Sequence, residues 1–311
     1  MIRLHSGVAL VDVERSGVVE SVHRGSVAMI DSAGSARSVG DVGQVIFPRS
    51  SNKPLQAVGL LRAGLDVAAP WLALSAASHS GEPIHVELVS EMLAAAGLDE
   101  SALQCPPDWP VGEGARLAAR APRRMTMNCS GKHAAMLLTC RVNDWPIEDY
   151  LSAAHPLQLV LRAAVGDESG ERVAATGVDG CGAPLFAISL AALAHAFARL
   201  ASADSGPERM VADAMRAYPE LVAGDGRTAT TLMRAVPGLI AKDGAEGVYA
   251  AALPDGRAVA LKIDDGAQRA VEPVMIAALG ALGVDVGLSD APVLGGTVAV
   301  GSVRIRGGVF S

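Results

Sequence analysis

Short β-branched runs dominate residues 7–46, and apolar positions at helical spacing dominate the middle of the chain. Val8-Ala9-Leu10-Val11-Asp12-Val13, Val18-Val19-Glu20-Ser21-Val22 and Ser26-Val27-Ala28-Met29-Ile30 read as strands. Ser16-Gly17, Arg24-Gly25 and Ser32-Ala33-Gly34 punctuate them as turns. Leu55, Val58, Leu60 and Leu61 then give one buried helical face, ending near Ala63-Gly64. Ile84, Leu88, Val89, Met92 and Leu93 mark a second helix with Gly97 as its stop. Further helices are predicted where Ala135, Met136, Leu138 and Thr139 recur, over 156–164, over 190–200, and through Val271, Val274, Met275, Ala278 and Leu282. Strand character returns at 247–253 and 257–263, joined by Pro254-Asp255-Gly256 as a hairpin. Thr297-Val298-Ala299-Val300 and Val303-Arg304-Ile305 close the chain as two strands.

Strands at both ends around a helical middle predict an α/β (α+β) fold. One antiparallel sheet is formed by the terminal segments, with helices on it and a helical lobe inserted. The 311 residues form a single catalytic domain, with a sheet lobe over 1–48 and 208–311 and a helical lobe over 49–207. Half the residues are apolar but only 3% are aromatic, so the core is built from Ala, Val and Leu. A formal charge of −7 argues against nucleic acid or an anionic membrane as partner. No apolar stretch reaches membrane-spanning length and the first residues lack a leader pattern, so a cytoplasmic protein is expected. Cys105, Cys129, Cys140 and Cys181 have no paired spacing and are read as reduced thiols.

The most informative stretch is Phe47-Pro48-Arg49-Ser50-Ser51-Asn52-Lys53-Pro54. Ser50 and Lys53 are three apart, so a helix beginning here sets hydroxyl and amine on one face, one turn apart. That pairing is a candidate serine nucleophile with its base. Ser51 points elsewhere, and Pro54 suits a first helical turn. A second unusual segment, Ser78-His79-Ser80-Gly81-Glu82, lies in the turn before a predicted helix, where side chains can face a cleft.

Five ordered motifs carry a resemblance. They are Arg49-Ser50-Ser51-Asn52-Lys53, Ala77-Ser78-His79-Ser80-Gly81-Glu82, Asn128-Cys129-Ser130-Gly131-Lys132-His133-Ala134, Asp179-Gly180-Cys181 and Lys242-Asp243-Gly244-Ala245-Glu246-Gly247-Val248. Together they resemble the bacterial L-asparaginase II family over nearly the whole chain. This is the serine-dependent type, whose fold is similar to serine β-lactamases, penicillin-binding proteins and serine glutaminases, and it does not resemble threonine-nucleophile asparaginases. The resemblance implies hydrolysis of L-asparagine to aspartate and ammonia, with Ser50, Lys53, Ser78 and Lys242 catalytic. Arg49, His79, Ser80, Glu82 and Asp179 are the substrate-binding candidates, and a homodimer is expected. Lys242-Asp243-Gly244 departs from the Lys-Thr-Gly common in the fold relatives, and puts a negative charge where a hydroxyl would meet the substrate.

The chemistry sets demands. Ser50 would attack the carboxamide carbon and form an acyl-enzyme, with its own N–H in the oxyanion hole. Lys53 is a base only when neutral, and lowering its pKa by about three units requires roughly 4 kcal/mol. Burial and a second cation supply such a shift, and Lys242 is that cation if its strand crosses the cleft. Ser78 relays the proton, with Ser80 as the alternative that the sequence alone does not separate. Arg49 either orients a substrate carboxylate or pairs with a protein acid. Asp179, Glu82 and Asp225 either bind a substrate ammonium or cap helices.

No cofactor is required by this chemistry. Cys129 and Cys181 are either buried thiols beside the pocket or, with Lys132, ligands for zinc, and His133 lies one helical turn from Cys129. Competing activities are a serine glutaminase on the same machinery and a non-catalytic asparagine binder.

Overall fold

The computed structural model describes residues 7–287 and 291–310; His5 lies outside the described residues. The chain opens with β1 (Val8–Arg15), β2 (Val18–Ile30), β3 (Ala36–Val39) and β4 (Val45–Ile46). A 3₁₀ turn, Arg49–Asn52, runs directly into α1 (Lys53–Arg62). Next come α2 (Ala69–Ser75), α3 (Pro83–Ala95), α4 (Glu113–Ala118), α5 (Ser130–Val142) and α6 (Pro156–Ser169). β5 (Ala175–Val178) and β6 (Pro184–Ser189) precede α7 (Leu190–Ser202), α8 (Gly206–Ala217), α9 (Pro219–Val222) and α10 (Thr228–Ala235). The chain ends with β7 (Ile240–Gly244), β8 (Val248–Ala252), β9 (Ala258–Ile263), α11 (Val271–Ala281), β10 (Ala291–Gly295) and β11 (Val298–Ile305).

The main sheet is antiparallel in the order β10-β11-β1-β2-β9-β8-β7, with β3 paired to β2. It is built from both ends of the chain, as the sequence pattern predicts. Every residue of β8 and β9 is buried. Covered on both faces, these strands lose the polar alternation of a half-exposed sheet. Helices α7 and α11 both pack on β9, and α1, α2, α5, α6 and α8 pack on one another. Among the described residues no helix is long and apolar enough to cross a membrane.

Three local expectations are corrected. Arg24-Gly25 is not a turn: β2 runs straight through it. A Cβ on Gly25 would lie 2.2 Å from the Lys262 carbonyl oxygen, so the glycine there admits the close approach of β9 rather than a reversal. The closing pair of strands is one strand, β11, which pairs with β10 on one side and β1 on the other. The stretch around Gly177-Pro184, between the helices predicted over 156–164 and 190–200, forms the β5–β6 hairpin of a second antiparallel sheet, ordered β4-β6-β5.

Candidate active site

Ser50 sits in the 3₁₀ turn and Lys53 is the first residue of α1. Side chains at i and i+3 eclipse in a 3₁₀ turn, so the two project to the same side. Pro54 occupies the first turn of α1, where its missing N–H costs nothing. Ser51 turns away, donating to the Pro48 carbonyl at 2.6 Å. Arg49 has a left-handed backbone, φ +53°, a conformation costing a non-glycine residue about 1–2 kcal/mol. Its Nε donates to Asp179 Oδ1 at 2.8 Å, which fixes the residue before Ser50 to the end of β5.

Lys53 is buried, and its amine donates to three groups: the Ala77 carbonyl at 2.5 Å, Ser78 Oγ at 3.1 Å and Cys129 Sγ at 3.1 Å. Lys242, on edge strand β7, is fully buried and donates to the Asp243 carbonyl and to Asp243 Oδ1, both at 2.8 Å. Neither amine forms a hydrogen bond with the Ser50 hydroxyl; Lys53 meets Ser78 instead. Burial drives the Lys242 amine down to about 8; Asp243 resists, while Lys53 and Arg227 add like-charge repulsion. Lys242, which the sequence argument assigned as the second cation, is thus an amine whose own charge burial destabilises.

Ser50 and Ser78 open on one cavity of about 400 Å³, in the range of a small-molecule site. Asn128, Asp243 and Gly244 also line it, together with Arg227, Thr228, Tyr249 and Glu272. Asp243 is bracketed by two cations, Lys242 at 2.8 Å and Arg227 Nη2 at 2.9 Å. Burial pushes its carboxyl up, but Lys242 and Arg227 together hold it well below the usual carboxylate range. Its charge is therefore balanced by protein groups.

The five substrate-binding candidates do not line this cavity. Arg49 and Asp179 pair with each other. His79 is buried, bonded through Nε2 to Ser130 Oγ at 2.8 Å and stacked on His85 at 5.1 Å. Burial and the neighbouring His85, Lys53 and Arg227 keep its imidazole neutral. Ser80 donates to the Ala223 carbonyl at 2.8 Å. Glu82 forms a capping box with His85 at the start of α3. Asp225 pairs with Arg234. The Ser78 backbone is tied to Val222 and that of His79 to Asn128, at 2.9 and 3.1 Å, so the 77–80 loop is held from both sides while Ser78 faces the cavity.

Cys129 and Cys181 meet beneath the loop, next to Lys132. The Lys132 amine donates to Cys181 Sγ at 3.3 Å. The hydrogen bond from Cys129 and the Lys132 charge favour a Cys181 thiolate against burial, and Cys129 is correspondingly held as the thiol. Burial acts against the Lys132 charge, but the two sulfurs outweigh it and raise its pKa. Among the described residues no three His, Cys, Asp or Glu side chains converge on a metal position. Two sulfurs and one amine suit zinc by donor type, provided that Cys129 and Lys132 first lose their protons.

Arg227, Thr228, Tyr249 and Glu272 were not singled out from the sequence. Tyr249 in a hairpin strand and Glu272 at a helix N-terminus each had a sufficient local account, and Arg227 and Thr228 fell in no predicted element. Of the cavity-lining residues, Ser50, Ser78, Asn128, Asp243, Gly244 and Ala245 lay within the recognised motifs.

Ser50 and Ser78 thus share one cavity, with the buried Lys53 amine bonded to the second of them. The chain belongs to the L-asparaginase II family, whose model matches residues 11–304, and so to the amidases of the asparaginase and glutaminase type. No curated protein matches the sequence. Among solved structures, a β-lactamase from Mycobacterium bovis is similar at 19% identity and a TM-score of 0.46, over 81% of this chain and 94% of that one. The hydrolase EstCE1, described with promiscuous acyltransferase activity, is similar at 13% identity and a TM-score of 0.43, over 88% and 93%. Mglu in its native form is similar at 14% identity and a TM-score of 0.40, over 86% of this chain and 63% of that one. Likenesses this distant add nothing to the family assignment.

Proposed function

We propose that the protein hydrolyses L-asparagine to L-aspartate and ammonia through an acyl-enzyme on Ser50. The observation that carries this reading is the shared cavity of Ser50 and Ser78 with the Lys53 amine 3.1 Å from Ser78 Oγ. Ser50 Oγ attacks the carboxamide carbon while its proton passes by way of Ser78 to the amine pair. Collapse of the tetrahedral species returns a proton to the departing nitrogen, giving ammonia and an ester. Water then attacks the ester by the reverse route, and aspartate leaves with Ser50 reprotonated. The Ser50 N–H, at the start of its 3₁₀ turn and unpaired within the backbone, supports an oxyanion hole; loss of one such donor costs about 3–4 kcal/mol of transition-state stabilisation.

The test is ammonia release from L-asparagine by the native chain and by Ser50→Ala. Turnover is expected to vanish in the variant with its circular dichroism unchanged; no release by the native chain overturns the reading in favour of a binder. L-glutamine assayed alongside separates the amides, since one methylene is worth only about 1–3 kcal/mol in a pocket.

Zinc on Cys129, Lys132 and Cys181 is a separate proposal, supported by the donor types and by their contact. Bound there, the metal would supply a fixed positive charge beneath the loop that carries Ser78. Elemental analysis after purification without added metal is expected to find zinc; its absence even after zinc addition overturns the proposal.

A further inference from the structure

The cavity carries charges that the chemistry at Ser50 does not use. Arg227 caps α10 and Glu272 lies in the first turn of α11, and both line the same space. Thr228 Oγ1 donates to Glu272 Oε2 at 3.2 Å. Among the described residues Glu272 has no ion-pair partner, so one negative charge faces the cavity unbalanced.

Arg227 is asymmetric. Its Nη2 is spent on Asp243, but its Nη1 is shielded from water and has no hydrogen-bond partner. Tyr249, opposite Asp243 in the β7–β8 ladder and therefore on the same face, is fully buried with an unpartnered hydroxyl. Two buried donors left unpaired on residues that line one cavity cost free energy in the empty protein, and an anionic acceptor seated against them removes that cost. Burial, with Asp243 and Glu272 nearby, pushes the Tyr249 phenol well above its usual pKa, so it remains a donor.

We propose that this cavity is a receptor for the charged end of a free α-amino acid, with Arg227 and Tyr249 taking the α-carboxylate and Glu272 taking the α-ammonium. The assignment rests on Ser50 being the nucleophile, since it sets the side-chain amide at one end of the cavity and the zwitterion at the other. It restricts the substrate to free amino-acid amides. A peptide asparagine presents neither charge, and an acid amide without the ammonium leaves Glu272 facing a like charge. Asp243 acquires a role as well: it orients the guanidinium by one edge and leaves the other edge free.

Three amides separate the contributions: L-asparagine, succinamate, which lacks the α-ammonium, and 3-aminopropanamide, which lacks the α-carboxylate. With the native chain, kcat/KM for asparagine is expected to exceed each analogue by at least about tenfold, the discrimination of one charge-assisted hydrogen bond. Glu272→Gln is expected to shrink the asparagine-to-succinamate ratio selectively, and Arg227→Gln the asparagine-to-3-aminopropanamide ratio. Equal losses on all three amides, or native turnover of an analogue at the rate of asparagine, overturn the proposal. Calorimetry on Ser50→Ala with L-aspartate, succinate and β-alanine reads the same preference without turnover. If hydrolysis fails but L-aspartate alone binds, the receptor stands and the catalytic reading falls. If hydrolysis succeeds and all three acids bind alike, only the receptor falls.

Discussion

At the scale of the residue, Lys242 is the most exposed to test. A lysine amine ordinarily loses its proton at 10.5, and in the folded protein this one does so at about 8. Below pH 8 folded and unfolded chains both carry the charge, and the native state holds it buried at a cost of about 3 kcal/mol. Between pH 8 and 10.5 the unfolded chain binds the extra proton, so native stability rises with pH across that window. Urea unfolding midpoints are expected to climb from pH 8 to 10 in the native chain and to stay flatter in Lys242→Met. Activity should follow the same amine. If the pair that serves Ser78 must shed a proton at Lys242, kcat/KM rises through about pH 8, and Lys242→Arg, which keeps the charge but cannot lose it, removes that limb with a loss of about 10²-fold or more. Retention of the limb in Lys242→Arg would assign the proton to a different group.

The cavity positions of Ser50 and Ser78 were legible because each stands in a short run with a recognisable neighbour. Arg227, Tyr249 and Glu272 were not, because they come from three elements that meet only after folding. Five other side chains within the motifs lie off the cavity for the opposite reason. Arg49, His79, Ser80, Glu82 and Asp179 are polar and close in sequence to the nucleophile or its relay, yet they satisfy one another, backbone carbonyls and a helix start. Adjacency along the chain located the loops correctly, without saying which side chains turn inward.

At the scale of the element, the site depends on how closely β7 can approach the turn that carries Ser50. A Cβ on Gly244 would stand 2.6 Å from the Pro48 carbonyl oxygen and 3.3 Å from the Ser51 nitrogen. Both are backbone atoms with no rotamer to yield, so Gly244→Ala must push the Arg49–Asn52 turn away from β7. Overpacking of this kind costs about 1–3 kcal/mol. The expected result is a lowered midpoint in urea together with loss of ammonia release beyond what the stability change explains, while the β7–β8 ladder is retained. Normal activity in Gly244→Ala would show that Ser50 is positioned without β7.

The strands themselves were readable where β-branched runs ended at true turns. Reading failed at Gly25, where glycine serves strand approach and not reversal, and at β5 and β6. There six consecutive buried positions in β6 carry no alternation to distinguish a strand from a helix start.

At the scale of the whole molecule, the cavity lies between parts of the chain far apart in sequence. By chain position its lining falls into two walls: Ser50, Ser78 and Asn128 from the first half of the chain, and Arg227, Asp243, Tyr249 and Glu272 from the C-terminal third. A ligand spanning both walls stabilises the two together, because neither offers the full set of partners alone. Binding to the native state adds RT ln(1 + [L]/Kd), about 2.7 kcal/mol at a hundredfold excess over Kd. For a chain of this size that amounts to a rise of several degrees in Tm. With Ser50 as the proposed nucleophile, Ser50→Ala is expected to remove turnover while leaving Arg227, Tyr249 and Glu272 in place, so that L-asparagine can be held in the cavity at equilibrium. One transition moving upward with the logarithm of asparagine concentration is expected. The sheet and the helices share α7, which packs on β2, β8 and β9 as well as on α6 and α8, and so have no seam along which to melt separately. Two transitions, of which asparagine moves only one, would mean that the ligand contacts a single wall and that the opposite wall contributes neither partners nor stability to binding.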